Sequence, residues 1–306
     1  APRSAHARPG AEAQPLPRAD PGLRSPAAAA QVRLLSQNVW NSFFAGGPER
    51  MARLRALREY VERHKVDVLV VQEMFCFGLG PLVDAGESQA FGAMMAELGL
   101  VHQTWPLQTL PAFCQNSGLA VYSRLPLGEE RHGTFEQRRL ISAKGWTEVT
   151  VELPGSRLVL MNAHLEHAHT EYWRGIRRHQ GEQLAKRARD MVAQESSHGG
   201  GLVAVVGDFN IGEHAPWQRF QCGTTEYAAL SGALRSAGLR KDLFADEGKQ
   251  PPTMRLEPEH PTFSPDHIFA TDALVERVLH AAVVDTRGDS GLPVSDHLGL
   301  LVDIRA

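Results

Sequence analysis

Three stretches of this 306-residue chain are apolar for almost their whole length and then stop at polar side chains. They are VDVLVVQE (66–73), RLVLMNAHLE (157–166) and LVAVVGDFN (202–210). Short apolar runs of this kind are typical of strands that are buried on both faces, because a half-exposed strand would alternate apolar and polar residues. The chain must therefore cover both sides of at least one β-sheet.

The pattern between these strands indicates how they are covered. Apolar side chains at helical spacing predict four helices, at 49–64, 88–100, 175–194 and 225–239. Several strand pairs lack the crossover helix that a doubly wound parallel sheet needs, so we treat that fold as the competing interpretation. We predict an α+β fold, a four-layer α/β/β/α sandwich in which two mixed sheets pack face to face with helices outside.

Residues 1–30 differ in composition from the rest of the chain. They are rich in Ala, Pro and Arg and lack the apolar core of a signal peptide, so we expect a flexible leader followed by a single domain over residues 31–306. The formal net charge is −3, and the leader carries four arginines against Glu12 and Asp20, which leaves −5 for the remainder. This balance does not favour a protein that grips nucleic-acid backbone, and we expect no nucleic-acid partner.

The cysteine count argues against a structural zinc site, and the lengths of the apolar runs argue against a transmembrane helix. The chain has three cysteines, Cys76, Cys114 and Cys222, and no CxxC motif, which argues against a structural zinc site. The chain has no run of 18 apolar residues, so the sequence predicts no transmembrane helix.

Residues that can do chemistry stand at the ends of six of the predicted strands. They are Asn38, Glu73, the pairs Asn162/His164 and Asp208/Asn210, and the pairs Asp266/His267 and Asp296/His297. Each one alone is explained equally well as a turn cap. Together they predict a common site, because strand ends converge on one rim of a sheet. Asp208 and Asn210 are two apart on a strand and should point to the same side.

The composition of this set indicates the chemistry. Carboxylates and amide oxygens are hard ligands that suit Mg²⁺ or another hard divalent cation. Histidines beside such a cation can move protons, and the two together suit phosphoryl chemistry. A zinc site built on His164, His167 and His169 is a weaker alternative, because no Cys or carboxylate at the usual spacing completes it.

The motifs QNVW, VVQE, NAHLE, GDFN, DHIF and SDH, in this order over residues 32–303, resemble the endonuclease/exonuclease/phosphatase superfamily. This DNase I-like fold is shared by nucleases, inositol polyphosphate 5-phosphatases and neutral sphingomyelinases. CQNSGLAVYSRLPL (114–127), RRLISAKGW (138–146) and IRRHQGEQL after NAHLEH are similar to the neutral sphingomyelinases in particular. The chain departs from that family at Ala143, which loosens the Ser-Lys-Gly turn by one residue, and at His267, where the family usually has Tyr.

The resemblance implies a metal site on four residues. Glu73 is the principal Mg²⁺ ligand, with Asn38 beside it. Asp296 is a further ligand, and Asp208 completes the environment of the metal and the attacking water.

The resemblance also implies how catalysis is divided. His297 is the general base that takes a proton from water, and Asp266 orients it. Asn210 and His164 donate hydrogen bonds to the phosphoryl oxygens, and Lys144 helps to hold the phosphate.

The resulting expectation is a Mg²⁺-dependent phosphodiesterase, with Mn²⁺ as a possible substitute, that cleaves sphingomyelin to ceramide and phosphocholine. The alternatives are the same site acting on a lysophospholipid, an inositol phosphate or nucleic acid, and a lipid-binding module without turnover. The expected partner is a phospholipid membrane surface, the expected state is a monomer, and a secreted or membrane-peripheral location fits the resemblance.

Some segments near these motifs have two interpretations. The stretches 74–82 and 104–113 are predicted to be packed loops or, alternatively, loops at the edge of the site that contact lipid. Trp105, Phe113, Tyr172 and Trp173 are candidates to contact choline, because quaternary ammonium groups bind aromatic faces. The arginine-rich face of the helix over 174–189, which includes Arg187, is predicted to be solvated.

Overall fold

The computed structural model describes residues 31–42, 49–79, 82–104, 115–138, 142–167, 170–197, 199, 201–212, 223–245, 251–255 and 263–306. The predicted leader (1–30), the stretch 105–113 with Trp105 and Phe113, and the residues Cys114, His169 and Cys222 lie outside these ranges. Within them, Cys76 is a buried free thiol.

The described residues form two six-stranded sheets. In the first, the strand order is β13-β14-β1-β2-β6-β5. Its strands are β1 Gln31–Asn38, β2 Val68–Gln72, β5 His102–Gln103, β6 Ala120–Ser123, β13 Val278–Val284 and β14 Gly299–Arg305. β1 and β2 are parallel, whereas the other neighbours are antiparallel, so the sheet is mixed.

The second sheet has the order β11-β12-β10-β9-β8-β7. Its strands are β7 Leu127–Thr134, β8 Gly145–Leu153, β9 Ser156–His164, β10 Leu202–Asp208, β11 Lys241–Asp242 and β12 Asp266–Ala270. β9 and β10 are the parallel pair.

The two sheets pack face to face, and helices cover the outer faces. The helices are α1 Arg50–Arg63, α2 Gly86–Glu97, α3 Glu171–Ser197, α4 Gly223–Ser236 and the short α5 Asp272–Val275. Alternate residues of β2 show why its sequence is apolar throughout. Val68 and Val70 lie in the core between the sheets, whereas Leu69 and Val71 pack with α1 and α2. α3 and α4 cover the second sheet in the same way. The predicted four-layer sandwich is confirmed.

The structure differs from the sequence analysis at three places. β7 was not predicted, because its residues are polar and mostly exposed at the sheet edge. The stretch 74–82, predicted as a loop, contributes to a hairpin of β3 Phe77–Leu79 and β4 Leu82–Asp84. The Arg187 side chain is only 19% exposed: it makes two hydrogen bonds to Glu148, at 2.7 and 2.9 Å, and its guanidinium lies 5.5 Å from the Trp146 ring centroid.

Among the described helices, none combines the length and the apolar character needed to cross a membrane.

Candidate active site

One edge of the first sheet carries chemically active residues in spatial order. Asp296 and His297 precede β14, Asn38 ends β1, and Glu73 follows β2. The segment 115–118 leads into β6. Because β14, β1, β2 and β6 are neighbours in this order, the residues at their ends lie in the same order along one rim of the sheet.

The second sheet presents a matching rim. Asp266 opens β12 opposite Asp208, at the end of β10, and Asp208 lies beside His164, at the end of β9. Lys144 immediately precedes β8, whose first residue pairs with His164. The two rims therefore run in parallel, with His297 and Asp266 at one end and Lys144 and the segment 115–118 at the other.

The glycine of GDFN lets β9 and β10 approach closely below the site. Gly207 has φ 149°, and a Cβ there would collide with the backbone oxygen of Ala163 on β9. A side chain at this position would push the strands apart and move Asp208 away from His164.

Glu73, His164 and Asp208 form a compact group that suits a metal ion. One ligand atom from each lies within 4.8 Å of the others. His164 Nε2 is 3.4 Å from Asp208 Oδ2 and 3.7 Å from Glu73 Oε1. Asn38 donates from Nδ2 to Asp208 Oδ2 at 2.9 Å and to Glu73 Oε1 at 3.3 Å, so its nitrogen faces the carboxylates. Its oxygen, which we expected to be a metal ligand, accepts the N–H of Trp40 at 2.9 Å.

The charges in this group fit a hard divalent cation. Burial raises the pKa of Glu73, and burial raises the pKa of Asp208 to about 7, against the opposing charges of His297 and Lys144. Two buried carboxylates this close repel each other, and a cation between them removes that repulsion. Oxygen donors favour Mg²⁺, Mn²⁺ or Ca²⁺ over softer ions.

Glu73 also has an unusual backbone. Its φ of 61° is in the left-handed region, which costs a non-glycine residue roughly 1–3 kcal/mol. Such strain is found at sites where a side chain must be aimed, and here it accompanies a carboxylate that lines the cleft. Asn210 is also left-handed, at φ 52°, which asparagine tolerates more easily.

His297 is held in the geometry of a general base. Its Nδ1 lies 2.8 Å from Asp266 Oδ2, which also accepts the Thr253 hydroxyl at 2.7 Å. Its Nε2 lies 3.8 Å from Asp208 Oδ2 and faces the metal group. Burial lowers the pKa of His297, but the charges of Asp266 and Asp208 outweigh burial and hold that pKa well above the usual value.

The surroundings of His164 shift its pKa in the opposite direction to that of His297. Burial and the neighbouring Lys144 hold the pKa of His164 well below its usual value. Lys144 Nζ lies 2.5 Å from Nε2 and 3.0 Å from Nδ1 of the His164 ring. The structure thus joins these two predicted phosphate ligands at the rim of the second sheet.

The two remaining predicted residues line the same cleft. Asn210 donates its backbone N–H to Asp208 Oδ1 at 2.9 Å and its side-chain Nδ2 to Leu165 O at 3.2 Å. Asp296 accepts the Ser295 hydroxyl at 3.0 Å. The cleft has a volume of about 340 Å³. Its other described lining residues are Trp40, Ser42, Phe75, Gln115, Ser142, Glu166, His167 and Met254.

Arg53 supports the first rim and was not singled out from the sequence. It lies on α1 and is 5% exposed. Its guanidinium donates to the carbonyl oxygens of Val39, Trp40 and Val294, at 3.0, 3.0 and 2.8 Å. It therefore ties the loop after Asn38 to the segment that leads to Asp296. Arg53 differs from the other arginines of α1 in that it lies on the buried face of the helix.

His267, where the resembled family usually has Tyr, does not enter the cleft. Its Nδ1 lies 2.8 Å from Asp242 Oδ2 and its Nε2 lies 2.6 Å from Ile211 O. Burial lowers its pKa, but the charge of Asp242 outweighs burial and raises the pKa overall, so both nitrogens can donate. The ring stacks on Phe209, with centroids 5.6 Å apart. His267 thus anchors the GDFN strand from behind.

Solved structures share the fold at low sequence identity. The endonuclease/exonuclease/phosphatase from Beutenbergia cavernae has 21% identity and a TM-score of 0.64, over 90% of this chain and 71% of that one. Sphingomyelinase C from Streptomyces griseocarneus has 15% identity and a TM-score of 0.58, over 90% and 100%. A mutant beta toxin from Staphylococcus aureus with bound magnesium ions has 16% identity and a TM-score of 0.61, over 89% and 99%. No curated protein sequence matches.

The family model described as Endonuclease/Exonuclease/phosphatase family matches residues 35–297, which include every residue of the site. The matched span begins within β1 and ends at His297. The chain belongs to the Endonuclease/Exonuclease/phosphatase family, whose members are phosphoester hydrolases.

Proposed function

We propose that this protein is a Mg²⁺-dependent phosphodiesterase that hydrolyses sphingomyelin to ceramide and phosphocholine. The observation that carries the hydrolytic part is that Asp208 belongs both to the Glu73, His164 and Asp208 group and to the Asp208, Asp266 and His297 group. Glu73, Asp208 and His297 line one cleft. Mn²⁺ could replace Mg²⁺, because both prefer oxygen ligands.

The chain supplies the proton transfer and the orientation. His297 Nε2 takes a proton from the attacking water, while Asp266 holds Nδ1–H and stabilises the imidazolium that forms. A bound cation, held by Glu73 and Asp208 with Asp296 nearby, would neutralise phosphate oxygens and lower the pKa of His297 toward the range of a base.

Donors on the second rim act on the phosphate. In this proposal His164, Lys144 and Asn210 donate hydrogen bonds to the phosphoryl oxygens as charge grows on them. Lys144 and Asn210 line the cleft, and buried His164 contacts Lys144. Each such donor contributes most when the phosphorus is attacked, and one is worth roughly 3 kcal/mol.

The charge of the cleft supports a zwitterionic substrate. Its described lining contains the carboxyl groups of Glu73, Glu166, Asp208 and Asp296 against the basic groups of Lys144 and His297. A phosphocholine group carries one phosphate charge and one cation, whereas a polynucleotide brings many phosphates that this lining would repel. The sphingomyelinase-like motifs support the same substrate, and the Streptomyces enzyme is an example of this fold in a sphingomyelinase.

The proposal implies a phospholipid surface as partner and a monomeric enzyme. Tyr172, at the start of α3, is 70% exposed and packs edge-on against Trp173, with ring centroids 5.1 Å apart. This supports its role as a surface aromatic that contacts lipid.

The test compares substrates under one set of conditions. Wild type and Glu73→Gln are incubated with sphingomyelin vesicles, inositol phosphate or plasmid DNA, each with Mg²⁺ and with EDTA. Phosphocholine release that needs Mg²⁺ and Glu73, with DNA and inositol phosphate intact, is the expected result. Cleavage of DNA or inositol phosphate with sphingomyelin untouched would reject the substrate while keeping the metal-dependent site. Binding to vesicles without turnover would instead support a lipid-binding module.

A further inference from the structure

A polar wall closes the cleft at the end away from His297. Ser142 pairs with Gln115 in an isolated parallel bridge, and Ala143 donates its N–H to Gln115 O at 3.2 Å. Gln115 Nε2 donates to the Ser42 hydroxyl at 3.1 Å. Ser42, Gln115 and Ser142 all line the cleft, and all are more than nine-tenths buried.

The Ser142 hydroxyl lacks a hydrogen-bond partner in the described part of the chain. Its Oγ is buried, and the residue as a whole is 8% exposed. An unpaired buried hydroxyl costs about 1–3 kcal/mol, so a ligand group that pairs with it from the cleft would recover that free energy. Ser117 offers a contrast, because its Oγ is also buried and unpaired but it does not line the cleft.

The order of strands defines which part of a substrate meets this wall. The general base His297 and its partner Asp266 lie at one end of the two rims. The metal group of Glu73, Asp208 and His164 lies in the middle, and Ser142 and Gln115 lie at the other end. In phosphoryl transfer the attacking and leaving oxygens lie roughly in line through phosphorus. Water activated at His297 therefore expels an alcohol toward the wall.

We propose that Ser142, positioned by its pairing with Gln115, binds a hydroxyl or amide group of the leaving alcohol and so selects sphingoid substrates. The inference rests on the proposed function and deepens it. Ceramide carries an amide N–H and a hydroxyl close to the leaving oxygen, whereas diacylglycerol has ester carbonyls there. The serine oxygen can accept a hydrogen bond from the amide N–H or from the hydroxyl, and the ester carbonyls of diacylglycerol have no such donor.

The experiment uses two substrates with the same phosphocholine and different leaving groups. Sphingomyelin in detergent micelles releases ceramide, and p-nitrophenylphosphocholine releases nitrophenol, which lacks the amide and the alcohol. Wild type, Ser142→Ala and the matched control Ser117→Ala are compared by kcat/KM with Mg²⁺, after thermal melting shows that all three fold. Both substitutions remove an unpaired hydroxyl, so both variants should remain stable.

We expect Ser142→Ala to lose roughly 10- to 100-fold in kcat/KM on sphingomyelin and to match wild type on p-nitrophenylphosphocholine. Ser117→Ala should match wild type on both. Equal losses of Ser142→Ala on the two substrates, or no loss on sphingomyelin, would overturn the inference and leave the proposed function standing. Wild type that cleaves only p-nitrophenylphosphocholine, or neither substrate, would overturn the proposed function and the inference together.

Discussion

The Gln72 carboxamide of the first sheet donates to Asn162 Oδ1 of the second at 2.9 Å, across the interface between the sheets. Both side chains are fully buried, and Asn162 also donates to Val71 O at 2.8 Å. Gln72 immediately precedes Glu73, and Asn162 stands two residues before His164. This hydrogen bond therefore fixes the distance between the two halves of the metal group.

We expect Gln72→Ala and Asn162→Ala each to lower the free energy of unfolding by about 1–3 kcal/mol, because each leaves buried polar groups unpaired. The double variant should lose less than the two losses combined, with a coupling of roughly 0.5–3 kcal/mol. Urea unfolding of the four proteins measures this. If the two losses in unfolding free energy add fully in the double variant, the hydrogen bond does not contribute to stability.

His164 and Asn210 should act on the rate rather than on the fold. We expect His164→Ala and Asn210→Ala each to lower kcat by about 10²–10³, because each removes a donor to the phosphoryl oxygens. Steady-state kinetics on sphingomyelin with saturating Mg²⁺ checks this, with circular dichroism to verify folding. A near-normal rate in a folded variant would refute the role of that residue.

Glu73 should control metal binding. Mg²⁺ at about 100 times its dissociation constant should stabilise wild type by roughly 2.7 kcal/mol, since the ion binds the folded state. Glu73→Gln should lose most of this stabilisation, whereas the exposed control Glu62→Gln on α1 should keep it. Thermal unfolding with and without Mg²⁺ gives the comparison. An equal Mg²⁺ effect in both variants would place the metal elsewhere.

The pair of Asp303 with Arg33 should make stability depend on pH. Burial raises the pKa of Asp303, but two hydrogen bonds from Arg33, at 2.7 and 2.9 Å, outweigh burial and lower it overall. The contribution of Asp303 is thus complete above the unfolded pKa of about 3.9 and is lost as pH falls through the lower folded pKa.

Asp303→Asn should consequently destabilise the protein at pH 6 and do so much less at pH 2.5. Urea unfolding of wild type and variant at both pH values tests this. A penalty that stays constant between them would mean that the charge of Asp303 does not matter.

The parts of the fold that the sequence predicts are those with strong local patterns. The continuous apolar runs of β2, β9 and β10 follow from burial on both faces. β7 has no such pattern, because as an exposed edge strand it needs no apolar face. The sequence predicts that the polar residues at strand ends form one site, because the ends of neighbouring strands lie along the same rim of a sheet.

Side chains that act through tertiary contacts could not be predicted in the same way. Arg53 looks like any polar residue of an amphipathic helix, and its burial depends on the carbonyl groups of Val39 and Trp40 and on that of Val294, which is far along the chain. Gln72 and Asn162 face each other only once the sheets pack. That the Ser142 hydroxyl is unpaired and lines the cleft can be seen only in the folded structure.

The central claim is that His297 serves as the base of a metal-dependent phosphodiesterase. The most direct measurement is phosphocholine release from sphingomyelin vesicles with Mg²⁺, for wild type, His297→Ala and the exposed control His280→Ala on β13. We predict that His297→Ala loses about 10²–10⁴ in kcat and that His280→Ala keeps the wild-type rate. A folded His297→Ala that releases phosphocholine as fast as wild type would contradict the account.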